Sequence, residues 1–138
     1  MKINNLEKIS QRIGVMQGRL VDQEEEEIQS FPWKSWDKEF KLLRQNRFNF
    51  LEWTIDNEDF FQNPINNEEG RKKIKKLKKK FNIKIQSCTA DFFMQKPFFK
   101  EKSRNKINLS ISKLKNFLNN LNKIKIKYAI IPLVDNSS

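Results

Sequence analysis

The chain has 138 residues, a formal net charge of +11, an apolar fraction of 37% that includes 12 Phe and 3 Trp, and no histidine. That length suits one domain, and the apolar content suffices for a core, which excludes a disordered chain. Without histidine, these residues alone cannot supply Ser/His or Cys/His nucleophilic machinery, a helical HExxH zinc motif or a facial triad.

A polar lead, residues 1–11, precedes a first predicted strand, Arg12-Ile13-Gly14-Val15-Met16-Gln17, and a loop holding Gly18, Arg19 and the acidic run Glu24 to Glu27. Ser35 is placed to cap a helix that carries Trp36, Phe40 and Leu43 at helical spacing. Phe48 to Ile55 is predicted as the second strand. Asn63-Pro64 breaks the chain before a helix from about Glu68 to Lys80, with Ile74, Leu77 and Phe81 as its apolar stripe. Ile83 to Ala90 reads as the third strand. A long helix follows, with Ile107, Ile111, Leu114, Leu118 and Leu121 on one predicted face, and Tyr128 to Val134 is the fourth strand.

Strands separated by helices of ten or more residues point to parallel βαβ units. The expected fold class is α/β, a partial (β/α)8 barrel of about four parallel strands and three helices, with residues 12–138 as its N-terminal half. A flavodoxin-like open sheet has the same local grammar, but no Gly-rich phosphate turn follows the first strand, and the chain has only three glycines. Two helix-to-strand turns, at Asn46-Arg47 and Lys123-Ile124-Lys125, lack a C-cap glycine; Asn46 is the residue expected to turn left-handed in the first.

In such a barrel the substrate side is the C-terminal edge of the sheet. Leu51, Trp53 and Ile55 share the face that meets the helices, so Glu52 points into the lumen, toward either a substrate hydroxyl or an internal cation. Asp91 follows the third strand and Asp135 the fourth; each either faces substrate or caps the next turn. Arg19, after the first strand, either binds a phosphate or sugar hydroxyl or pairs with the Glu24 to Glu27 run. Phe31 and Trp33 flank Pro32 as either an aromatic wall or a packed loop. The single Cys88 reads as a small buried strand residue, and one cysteine excludes an intramolecular disulfide and fits a reducing, cytoplasmic setting.

The segments Ile13-Gly14-Val15-Met16-Gln17-Gly18-Arg19-Leu20, Ile28 to Trp33, Phe50-Leu51-Glu52-Trp53, Ala90-Asp91-Phe92-Phe93-Met94 and Ile131 to Asn136 resemble, in order and spacing, the N-terminal half of sugar phosphate isomerase/epimerase proteins with a xylose isomerase-like barrel. The resemblance implies a divalent metal (Mn, Mg, Zn or Co) held by two glutamates, an aspartate and a histidine on later strands, so that no metal ligand is expected in this chain. It implies proton transfer between adjacent carbons of a sugar or sugar phosphate. Arg19, Glu52, Asp91 and Asp135 then match the substrate-side rim, and four strands alone are expected to be inactive. No catalytic residue is assigned.

The same superfamily includes an apurinic endonuclease branch, which offers a nucleic-acid alternative given the charge. Only six Arg are present, however, and the lysines are dispersed through an Asn- and Ile-rich chain, so nucleic acid is not the expected partner. No run reaches the ~18 apolar residues of a membrane span. A third reading is a half-barrel assembly module that needs the missing half or self-association, because a half barrel exposes two sheet edges.

Overall fold

Four short parallel strands lie side by side in chain order: β1 (Gly14–Met16), β2 (Phe50–Thr54), β3 (Lys84–Thr89) and β4 (Tyr128–Ile130). The computed structural model describes residue 9, residues 12–22 and residues 30–134. Its helices are α1 (Glu39–Gln45), α2 (Glu68–Phe81), α3 (Phe92–Gln95) and α4 (Arg104–Lys123), with a 3-10 turn at Phe98–Lys100 between the last two. This is an α/β fold with a four-stranded parallel sheet, compatible with part of an α/β barrel. The unreversed order matters, because a doubly wound sheet changes direction after its first unit and this one does not.

One face of the sheet is apolar and carries the core. Leu51, Trp53 and Ile55 of β2, and Ile85 and Cys88 of β3, are buried with Phe40, Leu43, Ile74 and Phe117 of the helices. The expected outward set of β2 is therefore the observed one. Trp53 lies at the centre of this layer, tilted against Phe31 and edge-on to Trp36, both at 5.6 Å between ring centroids. Its indole N–H donates to Asn63 Oδ1 at 3.0 Å, which satisfies the polar edge of an otherwise apolar ring.

Several local expectations shift for identifiable reasons. Ser35 is not the cap of α1: Ser35 and Trp36 donate their N–H groups to the Pro32 carbonyl, forming a turn, and the helix begins at Glu39. Arg47, not Asn46, adopts the left-handed conformation at φ 64°, while the Asn46 side chain donates to the Leu42 carbonyl. Lys125 does the same at φ 59° in the second turn. The described residues form four α-helices from Glu39 onward where three are expected, because Phe92 and Phe93 fold one further turn directly onto the core. In α4, Leu118 is 45% exposed and Phe117 takes its place in the core, edge-on to Phe92.

The N-terminus of α2 rests on the chain break that precedes it. Asn67 caps the helix by accepting from the Gly70 N–H at 2.7 Å, and Gly70 lies so close to the Pro64 backbone that a Cβ there would collide with it. In an open helix Gly→Ala stabilises by ~1 kcal/mol. Here the sign is expected to reverse: Gly70→Ala should lower the urea midpoint of unfolding, and an unchanged or raised midpoint would show that the Pro64 turn gives way freely.

Candidate functional site

The C-terminal edge of the sheet gathers a group of polar side chains, and a β-bulge puts them there. β2 and β3 pair Leu51 with Ile85 but Trp53 with Cys88, so β3 holds one extra residue opposite Glu52. The insertion resets the alternation of β3: Ile85 and Cys88 both face the helices, and Ser87 and Thr89 both face Glu52. Thr89 Oγ1 donates to Glu52 Oε1 at 2.7 Å and Ser87 Oγ to Oε2 at 2.9 Å. Glu52 thus stands on the face away from the helices, held by hydroxyls rather than by a cation.

Asp91 follows β3 at the start of α3, where a capping role is the ordinary reading. Its side chain makes no capping bond. The residue is 2% exposed, and Oδ2 is buried without a hydrogen-bond partner. Burial, then the nearby charges of Asp56 and Glu52, raise its pKa to about 6. Glu52 and Asp91 are therefore brought together with a third carboxylate, Asp56, that the sequence reading passed over. Asp56 directly follows β2, accepts from the Phe31 N–H at 2.9 Å and from Gln95 Nε2 at 3.0 Å, and so ties the loop before α1 to α3. The signal was present: Ile55-Asp56 stands to β2 as Ala90-Asp91 stands to β3.

Arg19 lies exposed on the loop after β1, and the loop's shape comes from Glu39. That carboxylate is fully buried on α1 and accepts from the Gly18 N–H at 2.8 Å and the Leu20 N–H at 3.4 Å, with Gly18 left-handed at φ +87°. Burial raises its pKa to about 7 against the lowering effect of the Gly18, Leu20 and Arg19 N–H groups. Sequence reading also passed over Glu39, although it falls at i+3 in the series Trp36, Glu39, Phe40, Leu43, a charged residue in an apolar stripe.

Asp135 and the Glu24 to Glu27 run lie outside the described residues. Phe31 is core, edge-on to a partly exposed Trp33 at 4.7 Å, so this pair is mainly a packed loop. Cys88 is buried as expected, and burial, then Asp91 and Glu52, push its thiol pKa well up, away from nucleophilic use.

No family model matches this chain, and none of the curated proteins matches it. Among the described residues no three of the His, Cys, Asp and Glu side chains converge as ion ligands. Among the same residues no helix is long and apolar enough to cross a membrane.

A buried carboxylate with an unpartnered oxygen costs stability once ionised. Asp91 has a folded pKa of about 6 against 3.8 when unperturbed, so the folded state holds its proton more tightly; the charge costs nothing below about 3.8 and its full amount above about 6. Asp91→Asn is therefore expected to stabilise the protein at pH 8, with the gain vanishing near pH 3.5. Urea unfolding of both proteins across that range checks it, and a variant less stable at every pH would mark Asp91 as scaffold.

Proposed function

We propose that this chain supplies the substrate-side rim of a sugar or sugar phosphate isomerase/epimerase barrel acting in the cytoplasm, with its metal and catalytic groups carried by residues outside it. The observation that carries the reading is the partnerless, buried oxygen of Asp91 beside Glu52 and Asp56 at the C-terminal edge of a parallel sheet. Such an arrangement lowers stability and is the kind of group that functional sites retain. The five segments that resemble the N-terminal half of that family add their weight on independent grounds.

The chemistry asked of these residues is modest. Glu52, oriented by Ser87 and Thr89, has lone pairs to accept sugar hydroxyls, and Asp91, with a pKa of about 6, can hold or release a proton near neutrality. Arg19, on the neighbouring loop, is suited to a hydroxyl or phosphate. In the family reading the metal polarises carbonyl and hydroxyl oxygens while a proton moves between adjacent carbons; no step of that kind is assigned to the residues present. The test is a titration of the chain with aldoses, ketoses and their phosphates, followed by NMR. Glu52→Gln is expected to weaken binding at least tenfold, ~1.4 kcal/mol, with little change in melting temperature. A lowered melting temperature with unchanged sugar affinity would make Glu52 scaffold, and clear preference for an abasic duplex over sugars at ~150 mM salt would favour the nucleic-acid alternative.

A second reading, the half-barrel assembly module, has its own observation. Among the described residues β1 and β4 pair on one side only, and Tyr128, Ile130, Ile131, Leu133 and Val134 along β4 and beyond are all at least 41% exposed. An unpaired edge flanked by exposed apolar side chains favours further pairing. Light scattering over a concentration series is expected to show self-association that Ile130→Lys reduces; a monomer at all concentrations would remove this reading.

A further inference from the structure

Beside the carboxylate group, Asn57, α3, the 3-10 turn and the first half of α4 line a half-open cavity of about 300 Å³. Its wall combines two chemistries. Phe92, Phe93 and Phe98 supply its aromatic lining, with Phe93 and Phe98 edge-on at 5.6 Å. Lys96 at the end of α3 and Lys106 and Lys113 on α4 supply its cationic lining. Lys106 has an acid of its own, Glu101, at 3.7 Å. Among the described residues neither Lys96 nor Lys113 has a carboxylate partner. The Lys113 ammonium instead rests over the Phe60 and Phe61 rings, at 5.3 and 5.6 Å from their centroids.

The charges on this wall are not balanced. Burial, then the charge of Lys96, lowers the Lys113 pKa, so the two ammonium groups repel each other across the space they share. The adjoining end of α4 adds to the imbalance: Ser103 makes no side-chain cap, and no acidic residue stands in a first turn that carries Arg104 and Lys106. A dianion would relieve both the repulsion and the uncapped helix end, and the aromatic lining would be idle for a bare ion.

We propose that this cavity binds a phosphate monoester with a short apolar body, the phosphate lying between Lys96 and Lys113 and the carbon part against Phe93 and Phe98. The site is distinct from the Glu52 and Asp91 group and holds whether or not the sugar reading does. Titration of the full chain with propyl phosphate, inorganic phosphate and propanol tests it. Propyl phosphate is expected to bind at least tenfold more tightly than inorganic phosphate, and propanol not detectably. Lys113→Gln and Lys96→Gln should each weaken propyl phosphate at least tenfold, and Lys76→Gln, an equal charge loss on the exposed face of α2, less than twofold. Lys96 is itself exposed, so that variant keeps its fold even if Lys113→Gln does not. Equal binding of both phosphates, or equal loss in Lys76→Gln, would reduce the effect to general basicity and overturn the proposal. Glucose 6-phosphate identifies the source: affinity lost in Lys96→Gln but kept in Glu52→Gln supports a sugar phosphate seated here alone, and affinity indifferent to Lys96→Gln counts against the site.

Discussion

The extra residue in β3 is the constraint on which the two faces of this sheet depend. A strand alternates its side chains with period two, so in an unbroken β3 Ile85 would share a face with Ser87 and Thr89, and Cys88 would point the other way. The bulge opposite Glu52 lets Ile85 and Cys88 both enter the core, beside Leu51 and Trp53, while Ser87 and Thr89 both reach the Glu52 carboxylate. Removing it would place two hydroxyls among the aromatic side chains and leave the carboxylate without its donors. Core and candidate site are thus set by one local irregularity.

The site is also arranged at some cost to the fold. Asp91 and Glu39 are both buried carboxylates with raised pKa values, yet their situations differ. Each has one buried oxygen without a hydrogen-bond partner, but Glu39 receives backbone N–H groups on its other oxygen and organises a loop, whereas Asp91 makes no capping bond and stands beside two further carboxylates, Asp56 and Glu52. The loop accounts for one oxygen of Glu39, and for Asp91 no such structural use is seen. Asp56 stands between the two cases, fully used in holding the loop before α1 and the short helix α3 in place.

Where the chain repeats a regular pattern, its structure was legible. Leu51, Trp53 and Ile55 alternate cleanly and all face the helices, and α2 runs over nearly its expected span because Asn67 and Asn82 mark both ends. Legibility failed where contacts between distant residues decide. The leucine stripe of α4 suggests Leu118 as core, but Phe117 meets Phe92, and Asn120 beside it is buried because Arg71, Asn66, Asn116 and Lys123 all bond to it. No pattern along the chain announces that network. Arg47 and Lys125 turn left-handed without glycine, a strain that side-chain propensity argues against and the strand that follows each turn imposes. Of the candidate site, Glu52 could be oriented from alternation alone, whereas Asp56 and Glu39 required either a comparison of strand ends or attention to a charge in an apolar stripe.

The hold of Glu39 on the loop after β1 runs mainly through the main-chain N–H groups of residues 18 to 20, with the Gln17 side chain beside them. Every amino acid except proline offers the same donor, so the identity of the side chains at positions 19 and 20 does not enter the interaction that shapes the loop. Gly18 is fixed by its positive φ, and Leu20 by its packing against the core. Backbone geometry and side-chain chemistry are therefore separable at the rim of the sheet: residue 19 can be exchanged, by drift or by design, and a new group presented at the same place without rebuilding the scaffold that carries it.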